Sequence, residues 1–459
     1  MPLQKIDLFG TSNSERFPAV STAKLTNMYL EQTEESGLVA YQMPGLTTFI
    51  EIGTTPIRGL RAINDNLYVV SYDKVYLVTL NGVTTELGTI DSTIGRVELT
   101  DNGTQLFIAT PNSGYIITLS TNSLAVIASA GYPNGTTAQF NSGFFLAVKP
   151  NSMQFYISSL YDGTTWDALD YASAEASPDN LVACVVSNAV AIMFGERTTE
   201  FWANNGQPVF PYAPNGLTAE WGLAARWSIA KFDTSLMYLA KNSLGDVQIV
   251  RLEGYKPARV STTSLEAIIN TFTTISDATA LTYLYKGHPF YQISFPTAGR
   301  TFCFDGLTNA WTELVSYGLL RSIGEQAIVW GNEVYITDYR NGKLYRLDGT
   351  TSFEGEFPII GSIISKHFRP TNELFTINGF QVEFSAGLPA SDTDNPQIGL
   401  QVSRDNGNTW GNLMLRPLGK LGEYLTSARW SRLGSARSFT FKITISDAVD
   451  KAIIAAYIE

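Results

Sequence analysis

The chain has 459 residues, enough for two or three domains or for one large repetitive unit with an accessory. Only 16% of residues are charged, 12% are aromatic and Asn-Gly turns recur, which excludes a disordered chain or a helical bundle and points to a β-rich protein. A net charge of −11 excludes a surface built to grip nucleic acid, while still suiting a wall past which DNA slides without sticking.

The N-terminal MPLQKIDLFG lacks the apolar core of a signal peptide. No window reaches the ~20 apolar residues of a membrane helix, so the expectation is a soluble chain made in the cytoplasm. Residues 1–45 carry the strand fragments LTNMYLEQ and GLVAYQMP, split by Pro and Gly without helical period, and read as an extended arm.

From about residue 56 a unit repeats: an apolar strand, a short turn, a second strand rich in Tyr, Val and Ile, then a Gly or Asn turn. Instances lie at 65–82, 104–120, 143–159, 188–206, 234–254, 288–306 and 332–349. Spacings of roughly 40 to 50 residues match the blades of a β-propeller, in which each hairpin supplies the central strands of one blade. The count is six or seven blades, depending on whether one hairpin is an insertion. An open array or a set of sandwiches would use the same hairpins.

Helix signals are few. STTSLEAIINTF (261–272), with Glu266 in the first turn, predicts a short connector helix. TTWDALDYASAEASPDN (164–180) reads as one long connection that holds a turn or two of helix. After Gly349 the pattern changes to alternating strands over about 100 residues, a sandwich-like unit. The boundaries expected are therefore 1–45 for the arm, 46–352 for the propeller and 353–459 for the sandwich.

Catalytic chemistry finds little support. His288 and His367 are the only histidines, with no spacing for zinc and no nucleophile elbow nearby. Cys184 and Cys303 sit in apolar runs and read as buried free thiols. NGTTAQFNSG lacks the Lys-Ser/Thr ending of a phosphate loop, and the acidic SDTDNP (391–396) reads as a solvated loop. The expectation is no catalytic residue, no metal and no cofactor.

One motif tempts toward an enzyme. Ser403, Asp405, Gly407, Thr409 and Trp410 form an Asp-box-like hairpin similar to that of propeller glycosidases. Physically it is a turn device: Asp405 accepts N–H groups, Gly407 supplies a positive φ and Trp410 packs beneath. A glycosidase would also need paired carboxylates or an arginine cluster. Arg197, Arg226, Arg251, Arg259 and Arg300 are available, with Asp167, Asp170, Glu175, Glu196 and Glu200, but no spacing forces them together. In GERTTE (195–200) the reading is a turn with Arg197 paired to flanking carboxylates. The rivals to a structural protein are thus a glycosidase and a glycan-binding adhesin.

The basic tract 415–439 stands out in an acidic chain. Arg416, Lys420, Arg429, Arg432 and Arg437 interleave with Tyr424 and Trp430, which reads either as a solvated strand face or as an interface.

Long gapless stretches carry a resemblance. TTWDALDYASAEASPDNLVACVV and FGERTTEFW, WGLAARWSIAKFDTSLMYLA (221–240), GYKPARVSTTSLEAII (254–269), ISDATALTYLYKGHPFYQISFPTAGRTFCFD (275–305) and GKLGEYLTSARWSRLGSARSF (419–439) resemble the packaged-DNA stabilisation proteins, or tail hub and nozzle proteins, of short-tailed bacteriophages. The resemblance implies a virion tail protein made in the host cytoplasm, with both termini joined in a platform domain. It further implies a homohexameric ring below the portal-adaptor complex that retains packaged DNA and conducts it outward. Its partners would be tailspike or tail fibre proteins, a plug or needle protein, and double-stranded DNA in transit. The basic tract would then belong to the platform.

Overall fold

Each predicted hairpin is the central strand pair of a four-layered antiparallel blade, and seven blades form a propeller: blades 1 to 4 are separate four-stranded sheets, blade 5 carries a fifth short strand, and blades 6 and 7 continue into larger sheets. The computed structural model describes residues 3–9, 21–207, 210–371, 373–387 and 394–459; residues 391–393 of the acidic loop lie outside these. Blades 1 to 6 span residues 57–89, 98–126, 139–173, 181–219, 222–259 and 279–313. Blade 7 combines 324–348 with the N-terminal strand Gly45–Glu51, which pairs with Lys343–Asp348 as the outermost strand and closes the ring.

In blades 3, 4, 6 and 7 the first and second strands, rich in β-branched and aromatic residues, are joined by two residues with positive φ. Lys286 and Gly287 (φ 47° and 83°) link Tyr285 to His288, and Gly331 and Asn332 (φ 57° and 65°) link Trp330 to Glu333. This is the backbone of the two-residue turn whose twist matches that of the flanking strands. The period-2 patterning gives each blade two apolar faces, and each packs on the next blade. Between blades 2 and 3, for instance, Phe107, Tyr132, Phe145 and Trp166 meet edge-on, with ring centroids 5.2–6.0 Å apart. Similar aromatic-aliphatic seams occupy the other six junctions.

Two expectations are corrected. Of the segment read as a connection with helix, residues 164–173 belong instead to the outer strand Asp162–Ser173 of blade 3, and 174–180 connect it to blade 4. Trp166 is buried in the seam below it and donates from Nε1 to Gly163 O at 2.8 Å, which pins the chain to the sheet. Residues 167–170 bulge outward between the Ser158–Trp166 and Tyr156–Tyr171 pairs, and this bulge is where the acidic residues find solvent. The GERTTE turn is held by Asp179, which accepts the N–H groups of Glu196, Arg197 and Thr198, each at 2.8 Å. Among the described residues Arg197 makes no ion pair. The connector helix is present at Thr263–Ile269, capped by the Thr262 hydroxyl. Both cysteines are free and buried.

The C-terminal strands form a β-sandwich. One sheet orders Met28–Thr33, Gly37–Gln42, Ala452–Ile458, Phe375–Phe384 and Ala428–Ala436, with Gln4–Ile6 also on Ala452–Ile458. The facing sheet contains Gly361–Ile364, Thr440–Ile445, Gln397–Ser403 and Met414–Pro417. Phe380 stacks on Phe441 across the core at 4.2 Å, beside Trp430 and Ile443.

The two domains share a sheet. The short strand Lys24–Thr26 pairs in parallel with Ala310–Glu313 of blade 6 and antiparallel with Gly361–Ile364 of the sandwich. Asn27, at φ 54°, follows it. Its side chain donates to Val315 O (2.8 Å) and Ile360 O (2.9 Å) and accepts from Val315 N (2.9 Å). Beside it, buried Lys451 donates to Gln42 Oε1 at 2.7 Å and Ile359 O at 2.8 Å. Asn27→Ala leaves buried backbone groups of both domains unpaired. It should cost about 3 kcal/mol and split thermal unfolding into separate propeller and sandwich transitions; calorimetry showing one unchanged transition would refute the role assigned to Asn27.

Candidate functional site

The basic tract lies on the sandwich and is divided by strand alternation. Arg416 sits on Met414–Pro417 and donates from Nε to Arg429 O at 3.0 Å, while Arg429 pairs with Glu459. Lys420 and Tyr424 lie on the loop between these strands, both exposed, with Tyr424 against Gly387. Arg432 (φ 61°) lies at the bulge within strand Ala428–Ala436, and Arg437 just past the end of that strand, away from Arg429. Trp430 points the other way. It is fully buried, and its Nε1 donates to Met414 O at 2.9 Å, so it shapes the core under the tract.

The loop also exposes apolar side chains that reading for charge and aromatics passed over. Leu421, Tyr424 and Leu425 are 72%, 69% and 102% exposed, and Leu413 and Leu415 stand exposed on the adjoining hairpin. The signal was present as leucines spaced among the basic residues, but only burial distinguishes them from core. A patch of this kind, rimmed by Arg416, Lys420 and Arg429, has the composition of a protein-protein contact.

The Asp-box-like turn sits at the opposite tip of the sandwich sheet. Asp405 accepts from Thr409 N (2.9 Å), Thr409 Oγ1 (2.6 Å) and Ser403 Oγ (2.7 Å), and Ser403 Oγ accepts from Gly407 N at 2.8 Å. Asn406 and Gly407 take φ of 63° and 82°, and Trp410 is half-buried after the turn. All of the Asp405 contacts are local, within four residues.

The five arginines considered for glycan chemistry are dispersed. Arg251 pairs with Asp233 (3.4 Å), Arg259 with Glu266 (2.7 Å) and Arg300 with Glu313, each in its own blade region. His288 is buried, bonded through Nδ1 to Asp305 at 2.9 Å and stacked on Phe290. Among the described residues no cluster of three metal-ligating side chains occurs, and no helix is long and apolar enough to cross a membrane.

Of these five arginines, Arg226 is the one that reaches the propeller axis. The inner strand of blade 5 is split around the turn Arg226–Ser228, which crosses to blade 2. There Arg226 Nη2 meets Glu98 Oε2 at 3.1 Å and Thr136 O. Glu98 also accepts from Gln139 Nε2 at 2.5 Å, and Gln139 accepts from Val186 N at 3.0 Å, so four blades share the network. The Trp227 ring lies between the guanidinium groups of Arg96 and Arg226, at 4.6 Å and 4.5 Å. Burial pushes the Glu98 carboxyl up and the Arg226 guanidinium down, each against the pull of the other. The axis is therefore filled by side chains.

Sequence comparison decides the family. The profile described as bacteriophage P22 Gp10, beta-propeller, matches residues 5–352, and that described as bacteriophage P22 Gp10, beta-sandwich, matches residues 362–459. The chain belongs to the bacteriophage P22 Gp10 family. It is a structural tail protein of a phage virion, which implies assembly with other virion proteins. No curated protein sequence matches it. Among solved structures, the N-terminal domain of Nup159 has a TM-score of 0.40 at 11% identity, covering 70% of this chain and 98% of that one. The WD40 propeller of Doa1 gives 0.40 at 10%, covering 66% and 96%. PorZ, a surface component of the type-IX secretion system of Porphyromonas gingivalis, gives 0.40 at 9%, covering 72% and 44%. At such values they say nothing of function.

Two outcomes follow from this Gp10-family geometry. Hydrogen bonds from Thr409 and Ser403 hold the Asp405 carboxyl down at about 2. Stability from this turn is then fully present above the ordinary aspartate range and is lost as pH falls through about 2. NMR titration of Asp405 should show that midpoint, and one near 4 would contradict it. At the axis, Glu98→Ala strands Arg226 and should cost about 2–3 kcal/mol in denaturant unfolding, a discount from a fully buried pair because both side chains keep 19% of their surface. Glu98→Gln, which keeps the Gln139 contact, should cost less; equal or negligible losses would refute the axial pairing.

Proposed function

We propose that this chain forms a homohexameric ring below the portal-adaptor complex, retaining packaged DNA and forming the conduit through which it leaves. The observation that carries this reading is membership in the Gp10 family across both domains, joined to an exposed basic-apolar patch on a rigidly attached sandwich. Residues 1–45 and 353–459 act in it as one platform, and residues 46–352 as the propeller. The strand pairing of both termini in one sheet supports this division.

The platform patch made by Arg416, Lys420, Arg429, Leu421, Tyr424 and Leu425 is the contact to neighbouring subunits or to the adaptor. Arg432 and Arg437 extend it along the strand. Propeller surfaces offer attachment to tailspikes or tail fibres, and a plug or needle protein closes the distal end. DNA passes between subunits, because the propeller axis is filled by Trp227 and its arginines. A chain of net charge −11 suits a wall that repels the phosphate backbone. The protein acts here without catalysis. Of the arginines near the axis, Arg58 spends all its donors within the protein and Arg321 pairs with Glu325, which disfavours the free arginine triad that the glycosidase reading needs.

Leu421→Asp with Leu425→Asp should leave thermal stability within about 0.5 kcal/mol of wild type, since both side chains are exposed. Incorporation into particles should fall at least about tenfold in quantitative blots of purified virions, the loss expected when central contacts of an interface are removed. Normal incorporation would refute the patch as an assembly contact.

A further inference from the structure

Beside the filled axis, on the face that carries the turns before blades 2 and 7, lies a cavity of about 520 Å³. Pro56, Ile57, Tyr72, Ile94, Pro296 and Tyr339 give it largely apolar walls, and Arg58, Arg96, Arg321 and Glu325 reach it. The three arginines are not equivalent. Arg58 donates to Gly95 O (2.6 Å), Ser92 O (2.5 Å), Ser92 Oγ (2.8 Å), Ile94 O (2.6 Å) and Tyr72 O, so it builds the wall and has nothing left to offer. Arg321 pairs with Glu325 at 3.2 Å and lies 3.6 Å over the Tyr339 ring.

Arg96 is the exception. Its Nε and Nη1 are buried and have no hydrogen-bond partner, although its guanidinium stacks on Trp227 at 4.6 Å. Stacking on an indole leaves the in-plane N–H groups unsatisfied, and leaving charged donors dry and unpaired is among the costlier arrangements a protein can hold. Glu98 and Glu325 act on Arg96 through space only.

We propose that this cavity binds a carboxylate carried on an apolar stem, with Arg96 anchoring the carboxylate and the Ile94, Pro296 and Tyr72 walls taking the stem. Charge selects the head group. The guanidinium groups of Arg58, Arg96 and Arg321 outweigh the one lining carboxylate, Glu325, so the cavity favours an anion, while its apolar walls disfavour a stemless phosphate or a nucleic-acid backbone. The walls select the stem, since desolvating apolar surface at Ile94, which stands 79% exposed, is favourable only against an apolar group. An acidic side chain of a neighbouring chain and a diffusible small carboxylate share this chemistry.

The test uses the full chain, with hexanoate as probe, hexanol as the uncharged stem and inorganic phosphate as the stemless anion. Calorimetric titration should show saturable millimolar binding of hexanoate only, weakened about tenfold or more by Arg96→Gln, a change of one decade or more in Kd. Because Arg96 makes no hydrogen bond, Arg96→Gln loses only the stack on Trp227 and should keep the fold, with an unfolding equilibrium within about fivefold of wild type (about 1 kcal/mol) when no ligand is present. Ile94→Glu, at an exposed wall position, provides a second variant that keeps the fold and should also abolish hexanoate binding. Absence of hexanoate binding, equal binding of phosphate, or binding unchanged in both variants would each overturn the proposal. None of these outcomes bears on the tail role, which particle incorporation reports separately. Phenylglyoxal labelling of Arg96 in exhaustively dialysed particles then identifies the source. Protection beyond that of the free chain assigns the carboxylate to a neighbouring chain and reactivity equal to the free chain's to a diffusible molecule, and either satisfies a proposal already supported by the titration.

Discussion

Residues 24–51 carry the constraint on which both domains depend. Gly45–Glu51 closes the propeller as the last strand of blade 7, and Lys24–Thr26 continues the sheet of blade 6 into the sandwich. Between them Asn27 spends its side-chain amide on carbonyls from both domains and its backbone N–H on Glu313 O. Glu313 is itself held by Lys24 and Arg300, which lower its carboxyl despite burial that would raise it. A ring of blades closes when strands from both ends of the propeller share a blade, and here the segment that supplies the closing strand also supplies, earlier in the chain, the separate strand that ties the second domain in place. The consequence is mechanical. The sandwich extends the sheet of blade 6, so force on the patch at Leu421 and Leu425 is transmitted to the propeller through hydrogen-bonded strands.

The second consequence concerns the axis. Closing seven blades leaves a central channel, and this chain fills it from blade 5, with Trp227 between Arg96 and Arg226 and Glu98 beneath. Such a network ties blades that are distant in the ring, which stiffens a domain whose seams otherwise join only neighbours. It also leaves one guanidinium, that of Arg96, without an acceptor.

Much of the architecture was legible in the sequence because hairpins announce themselves. Alternating apolar runs joined by pairs such as Lys286-Gly287 leave little freedom, and all seven hairpins read as central blade strands occupy that position. The outer strands were harder. Asp162–Ser173 hides its strand character because four residues bulge out, so neither period 2 nor period 3.6 dominates; Trp166 in the seam decides the matter. Ion pairs were less legible still. GERTTE places Arg197 among acids in sequence, yet Asp179, seventeen residues upstream of Glu196, holds the turn through backbone N–H groups. The basic tract shows the limit for surfaces: Trp430 belongs to the core while Leu425 does not, and composition alone reverses the two. The axial cluster, assembled from Arg96, Glu98, Gln139 and Arg226, has no local signal, since its members come from three regions far apart in sequence, the starts of blades 2 and 3 and the split inner strand of blade 5.

The central claim is that this chain is built into the virion as a ring of defined size on the tail. The direct measurement is its copy number in purified particles, by quantitative mass spectrometry against the portal protein of the same particles. The account predicts one copy for every two of a twelve-subunit portal, as a homohexamer below it requires. Absence from purified particles, or a copy number incompatible with a six-fold ring, would contradict it.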